Sequence, residues 1–156
     1  MRKLISIISL ATLIYACGGQ DSSKKENTSN QPATGEKPNP SYDPNRGAGK
    51  FAKVEIAATL DQNMAGSGQK VYDVKCSSCH KLTAEKLVGP GWSGVTSRHT
   101  AEWIMNFATN PDEMLDKDAK AQAMLEICLV RMPNQNLTDD DARHIYEFMR
   151  KNDGVK

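Results

Sequence analysis

No apolar run in this sequence is long enough to cross a membrane. The longest, residues 4–16, spans 13 positions, whereas a transmembrane helix needs about 20. It follows two basic residues, Arg2 and Lys3, and it has the length of the apolar core of a signal peptide. We therefore predict that residues 1–16 form an export signal and not a membrane-spanning helix.

An excess of basic residues is also missing from the part of the chain that can fold. From Phe51 onward there are 13 Lys or Arg against 15 Asp or Glu, so the net charge of +1 comes from the preceding residues. A domain that binds nucleic acid needs a basic face. The charge distribution therefore argues against nucleic acid as a partner.

Large apolar side chains are scarce between residues 18 and 58, where polar residues, glycine and proline dominate. Such a segment buries too little apolar area to offset its ordering entropy. We predict three regions. Residues 1–16 are the signal peptide, residues 17–58 are a disordered polar linker that begins with a cysteine, and residues 59–156 are the folded domain.

The signal region ends at a cysteine with small neighbours. Ala16 precedes Cys17, and Gly18 follows it. This pattern resembles the cleavage site of bacterial lipoproteins, although Tyr15 is bulkier than the commonest residue at its position. The resemblance implies cleavage before Cys17 and lipid attachment to it, which would anchor the domain to a bacterial membrane, facing the periplasm. An ordinary cleaved signal peptide without lipid is the alternative.

The most specific motif in the chain is C-x-x-C-H, formed by Cys76, Cys79 and His80. It is the attachment signature of c-type haem. Two thiols three residues apart can each add to one vinyl group of the same porphyrin, and the adjacent imidazole then lies under the iron. The motif therefore predicts one covalently bound haem c, with His80 as an axial ligand of the metal.

Two other sites use paired cysteines, and the sequence supports neither. Zinc would need a second Cys or His pair, but Cys128, His99 and His144 stand alone. A dithiol redox centre is typical of a strand-containing βαβ context, and we predict no strands. Cys128 lies on an apolar helical stripe that reaches Leu129, so we expect it to be a small buried hydrophobic residue.

The residues around the motif resemble class I c-type cytochromes over about residues 64–152. Gly68 and Tyr72 match the pattern of a glycine followed by an aromatic residue on the first helix of that family. Residues 89–95 are similar to its glycine–proline turn, and Met132 precedes a proline before a final helical segment. The resemblance implies an all-α class I cytochrome c fold, with four to five helices around one covalently bound haem.

Met132 is the methionine that best suits the second axial position of the iron. It lies in a loop before Pro133, whereas Met124 and Met149 lie among apolar residues at helical spacing. The methionine ligand of the family also commonly precedes proline. A His/Met pair raises the reduction potential of haem. Coordination by His99 and an open sixth position are the alternatives.

The resemblance assigns two further residues to the haem. In class I cytochromes the proline carbonyl of the glycine–proline turn accepts a hydrogen bond from the iron-bound histidine, and Pro90 matches that position. An arginine near the position of Arg98 pairs with a haem propionate, which suits its planar fork. A simple turn proline and a solvated arginine are the alternatives. Trp92 and Trp103 are expected to pack on the porphyrin.

Helical spacing and end signals place the helices coarsely. We predict them at about 64–74, from after Thr100 to before Asn110, from Pro111 through Leu115, at about 118–130, and after Thr138. Gly68 is expected to let the last helix cross the first closely. On that last helix His144 shares a polar face with Arg143 and Glu147, and we expect it to be exposed.

Electron transfer is the function that these features favour. The sequence indicates no substrate pocket and no acid–base pair, so we do not expect an enzyme. Resemblance to lipid-anchored cytochromes implies redox partner proteins, namely a membrane quinol oxidoreductase as donor and a terminal reductase or oxidase as acceptor. The alternative is a haem enzyme, or a sensor of gas or peroxide, with a labile sixth ligand.

Overall fold

Six helices and one small hairpin form the part of the chain that this computed structural model describes, residues 42–156. In chain order they are β1 (Tyr42–Asp43), β2 (Gly47–Ala48), α1 (Gln62–Lys75), α2 (Val95–Arg98), α3 (Ala101–Thr109), α4 (Pro111–Lys117), α5 (Ala119–Cys128) and α6 (Asp139–Asn152). The all-α class is confirmed, with one helix more than the four to five expected. The predicted signal peptide, the lipid site at Cys17 and the first part of the linker lie outside the described residues.

Short local signals begin α3, α4 and α6 where the sequence placed the starts of these helices. The Thr100 hydroxyl accepts a hydrogen bond from the Trp103 N–H and begins α3. Pro111 occupies the first turn of α4, where its missing N–H costs nothing. Thr138 and Asp141 cap α6 reciprocally, each side chain accepting from the other's backbone N–H.

Helices α1 and α6 cross at Gly68. A Cβ atom at Gly68 would collide with the backbone carbonyl of His144 and would lie 2.9 Å from Cβ of Phe148. The expected close crossing is therefore present. None of the described helices is long and apolar enough to span a membrane.

The linker prediction is wrong for residues 42–58, which pack on the domain. The hairpin buries Ala48 at 2% exposure. The buried side-chain amide of Asn106 on α3 accepts from the Phe51 N–H at 2.9 Å and donates to the Arg46 and Phe51 carbonyls at 2.9 and 3.0 Å. The Glu102 carboxylate accepts from the Val54 N–H. This segment is held through its backbone, which its side-chain composition does not reveal.

Two predictions about the last helices, the exposure of His144 and the burial of Cys128, also need correction. His144 is partly buried, and Glu147, expected on the same polar face, is fully buried and turned inward to Arg150. The apolar stripe on α5 was expected to reach Leu129, but it ends one residue earlier. The helix stops at Cys128, and Leu129 adopts the left-handed conformation with φ 61°. Leu129 is therefore exposed, and Cys128 is only partly buried.

Candidate haem site

A deep cleft opens between the motif region after α1 and the loop between α5 and α6. Its cavity volume is about 360 Å³, within the usual 300–1,000 Å³ of a small-molecule pocket. Its walls hold all six haem-site residues predicted within the described chain: Cys76, Cys79, His80, Pro90, Arg98 and Met132. Trp92 and Trp103 line it as well.

The end of α1 presents the C-x-x-C-H motif to this cleft. The helix closes at Cys76, whose N–H donates to the Tyr72 carbonyl. The next turn is tight, because the N–H groups of Cys79 and His80 both donate to the Cys76 carbonyl, at 3.0 and 2.9 Å. The Tyr72 hydroxyl donates to the His80 carbonyl at 2.7 Å. Backbone contacts thus fix the two thiols and the imidazole on one wall.

The two motif cysteines are free thiols. Burial raises the pKa of the Cys76 thiol to about 11, whereas cysteines of dithiol redox centres have lowered pKa values. Within residues 42–156 no cluster of three or more His, Cys, Asp and Glu side chains is arranged to hold a metal ion. The thiols therefore suit covalent attachment better than a dithiol centre or a zinc site.

His80 is oriented by its neighbours. Its Nδ1 lies 2.9 Å from the Pro90 carbonyl oxygen, so Nδ1–H donates there and Nε2 is left for a metal. Gly89 packs against the ring, and a Cβ atom at this position would lie 2.8 Å from Nδ1. Burial lowers the pKa of His80, although the Pro90 carbonyl opposes the shift, and the neutral imidazole is the form that binds metals.

Met132 is partly buried and lines the same cleft as His80. Its loop is shaped by left-handed backbone at Leu129 and Asn136. The loop is tied to the motif side because the Lys75 ammonium donates to the Gln135 carbonyl at 3.1 Å.

Two other methionines share the cleft. Met124 and Met149 also line it, whereas Met105 and Met114 are buried in the core at 3% and 0% exposure. The axial role of Met132 therefore remains a prediction, and it rests on the position of this residue in a loop before proline.

Arg98 reaches the cleft but is held by backbone. Its guanidinium donates to the Ser93 carbonyl at 2.6 Å and to the Gly91 carbonyl at 3.4 Å. Its pairing with a propionate therefore stays a prediction.

His99, which follows Arg98, was not predicted to contact a haem propionate. Its ring stacks on Trp103 with centroids 4.0 Å apart. Among the described residues His99 Nδ1 and Trp103 Nε1 are buried without hydrogen-bond partners.

These features fit a covalently attached haem. The walls are mainly apolar, as an apolar porphyrin disc requires. Two free thiols and an imidazole with an available Nε2 stand together on one wall. A buried polar nitrogen without a partner costs about 1–3 kcal/mol, so two such nitrogens at the cleft suit an acceptor from a bound group such as a carboxylate.

Comparison with known proteins agrees with this geometry. Residues 65–153 match the protein family described as Cytochrome c. Cytochrome c from Rhodothermus marinus is 27% identical with a TM-score of 0.65, and the match covers 67% of this chain and 90% of that one. An engineered form of it, Rma TDE, is 26% identical with a TM-score of 0.65 and the same coverage, 67% and 90%.

The same engineered cytochrome bound to a carbene intermediate, 1-ethoxy-1-oxopropan-2-ylidene, is 26% identical with a TM-score of 0.62 over 67% of this chain and 90% of that one. A search of curated proteins gives no match. The family match spans more than half of the sequence. This chain therefore belongs to the cytochrome c family and carries covalently bound haem c.

Proposed function

We propose that this cytochrome is a one-electron carrier of the periplasm, anchored to the membrane by lipid on Cys17. Membership of the family implies haem-based electron transfer. The observation that carries the finer proposal is that His80 and Met132 line one cleft. With both as axial ligands the chain would fill both axial positions of the iron, and no position would remain for a substrate.

The chain's own residues have a positioning role in this function. The bound haem supplies the one-electron couple. Cys76 and Cys79 retain it covalently, and the Pro90 carbonyl fixes the ring of His80. The buried rings of Tyr72 and Trp92 pack with centroids 4.9 Å apart beside the motif. A rigidly held ligand limits reorganisation when the charge on the iron changes.

The ionisable groups around the cleft favour a carrier over an enzyme. No Asp or Glu of the described chain lines it, and its cations are Lys75 and Arg98. General acid–base chemistry needs a titratable side chain within hydrogen-bond reach of the reacting group. Besides the ligand His80, the one histidine on these walls is His99, whose ring is stacked on Trp103.

The N-terminal sequence supports the proposed location, and the proposed partners rest on resemblance to lipid-anchored cytochromes. An export signal and a lipid on Cys17 would hold the domain beside a membrane. A membrane quinol oxidoreductase as donor and a terminal reductase or oxidase as acceptor suit a carrier in that place.

Chemistry at the iron is the competing function. The carbene intermediate bound to the engineered Rhodothermus marinus cytochrome is a property of that protein. That bound intermediate nevertheless shows chemistry at the iron in a protein of similar fold. In our protein such chemistry would require the sixth position to be open, and therefore Met132 to be unbound.

One experiment separates the two functions. The full-length holoprotein is mixed with native membranes supplied with quinol, and electron exchange is followed by stopped flow. Turnover of peroxide, nitrite and nitric oxide by the isolated protein is measured in parallel. We expect fast, reversible exchange, a thioether-to-iron charge-transfer band in the oxidised spectrum, and negligible turnover. Robust turnover by the isolated protein would overturn the carrier function.

A further inference from the structure

The loop that carries Met132 has few anchors of its own. Within residues 42–156 no backbone–backbone hydrogen bond holds residues 130–137. Six of the eight side chains from Leu129 to Asn136 are exposed, and the other two are only partly buried. Side-chain contacts with neighbouring elements must therefore fix the loop, since its own backbone and packing do not.

Arg131, the residue before Met132, makes one of these contacts. Its guanidinium lies 3.1 Å from a carboxylate oxygen of Asp116 and 3.6 Å from one of Asp112. In the shorter contact the guanidinium donates a hydrogen bond. Both carboxylates belong to α4, which is fixed in the core by its fully buried Met114. The ion pairs thus tie a weakly held loop to a firmly held helix.

The two carboxylates on α4 need this cation. Asp112 and Asp116 are four residues apart, so they lie on the same face of the helix, where like charges repel. Within the described chain Arg131 is the one cation that pairs with either of them. Lys117 of the same helix pairs instead with Glu113. Release of the loop would therefore break two contacts and leave a repulsion in α4.

A second tie lies on the far side of Met132. The Lys75 ammonium, at the end of α1, donates to the Gln135 carbonyl at 3.1 Å. Met132 therefore stands between a contact to α4 and a contact to the helix that ends at the haem motif. A ligand that is held from both sides loses less entropy when it binds, because its loop is already ordered.

We propose that Arg131 is a positioning residue for the sixth ligand, and that its ion pairs with Asp112 and Asp116 hold Met132 at the iron. The proposal rests on the carrier function, in which Met132 fills the sixth position, and adds what keeps it there. An isolated exposed ion pair contributes little to folding, but one cation between two carboxylates forms a network. Its effect is therefore expected on release of the ligand rather than on unfolding of the domain.

The test measures how often Met132 leaves the iron in the oxidised full-length holoprotein. Imidazole is the probe, because it binds the sixth position only when that position is open, and stopped flow follows its binding. The variants are Arg131→Gln, Arg131→Lys, Asp116→Asn and the double variant Arg131→Gln/Asp116→Asn. The matched control is Lys117→Gln, which removes one positive charge from α4 without touching the loop.

We expect imidazole to bind Arg131→Gln about fivefold faster than wild type, the most that one exposed ion pair usually supplies. Asp116→Asn should also bind it faster. The double variant should match Arg131→Gln, because the two residues act through one contact. Arg131→Lys should restore part of the wild-type rate, since lysine keeps the charge but not the planar fork. Lys117→Gln should behave as wild type.

Two further readouts separate a positioning role from a structural one. Added salt should speed imidazole binding to wild type and leave Arg131→Gln unchanged, because the ion pairs are exposed to solvent. Without imidazole, Arg131→Gln should keep the thioether-to-iron charge-transfer band, since Met132 still binds for most of the time. Met132→Ala should lack this band.

A wild-type imidazole rate in Arg131→Gln would overturn the positioning role while the carrier function stood. Equal acceleration in Lys117→Gln would also overturn it, because the effect would then come from the general charge of α4. If Met132→Ala keeps the charge-transfer band, Met132 is not the sixth ligand. The ligation on which the carrier function depends then fails, and the role of Arg131 fails with it.

Discussion

Gly68 of α1 lies directly against the backbone carbonyl of His144 of α6, with no space for a side chain between the two helices. The same position would place a Cβ atom 2.9 Å from Cβ of Phe148. Both obstacles belong to a rigid helix, so neither can move aside as the end of a flexible side chain could. The crossing of α1 and α6 therefore depends on glycine at this one position.

We predict that Gly68→Ala lowers the free energy of unfolding of the holoprotein by about 2 kcal/mol, within the usual range for overpacking. The matched control is Gly66→Ala on the same helix, where a Cβ atom would meet nothing within 4 Å. Because alanine favours helix over glycine, the control should gain up to about 1 kcal/mol. Urea titration measures both, and a gain in both variants would contradict the close crossing.

Glu147 is the centre of a buried ionic network. One carboxylate oxygen accepts from the Asp61 N–H at 2.9 Å and from Arg150 at 2.7 Å, and the other accepts from Arg143 at 2.6 Å. Burial by itself would raise the pKa of Glu147, but these three donors together lower it. The carboxylate thus joins the start of α1 to α6, and it stays ionised in the folded protein.

We predict that Glu147→Gln costs about 3 kcal/mol at pH 7, because it leaves the buried Arg150 and the partly buried Arg143 without their counter-ion. The pKa of this group is lower in the folded than in the unfolded chain. Its contribution is therefore complete above the ordinary pKa of 4.5 and is lost as the pH falls through the folded value. Wild type and variant should converge in stability in acid.

Urea unfolding at a series of pH values measures this convergence. Glu126→Gln on the exposed side of α5 is the control, and it should change stability by less than about 0.5 kcal/mol. A constant difference between Glu147→Gln and wild type at every pH would mean that the charge of Glu147 is not what stabilises the network.

Local signals in the sequence determined what could be predicted. The starts of α3 and α6 depend on Thr100 and Thr138, whose hydroxyls bond residues three positions away. The motif and its glycine–proline turn are also contiguous, so both were visible from the sequence. The burial of Glu147 was less visible, because one of its three donors, the Asp61 N–H, lies 86 residues away. A sequence pattern does not show which distant donors meet a carboxylate.

The prediction of disorder for the segment before α1 was wrong for the same reason. Its polar composition indicated disorder, but the buried amide of Asn106 supplies hydrogen-bond partners to its backbone. We predict that Asn106→Ala frees residues 42–58, because Phe51 loses the partners of both its N–H and its carbonyl. The cost should be about 2 kcal/mol.

Limited proteolysis followed by mass spectrometry measures this release. Asn106→Ala should be cut within residues 42–58 much faster than wild type, while the haem-bearing remainder persists. Asn63→Ala, an exposed asparagine on α1, should be cut at the wild-type rate. Equal cleavage of all three proteins would mean that Asn106 does not hold the segment.

Met132 and Met124 both line the cleft, and substitution can decide which of them binds iron. The loop position of Met132 before Pro133 favours it over Met124, which lies on α5. We predict that Met132→Ala keeps the haem, because Cys76 and Cys79 hold it covalently. It should lose the thioether charge-transfer band, lower the reduction potential and bind carbon monoxide when reduced.

The matched variant Met124→Ala removes a thioether of the same size from the same cleft. It leaves a small apolar gap, which costs stability, but it should keep the charge-transfer band and exclude carbon monoxide. Visible spectra and redox titration of the two variants compare them directly. If Met124→Ala loses the band and Met132→Ala keeps it, the ligand comes from α5. If neither loses it, a different methionine supplies the thioether, and Met149, which also lines the cleft, is the next residue to replace.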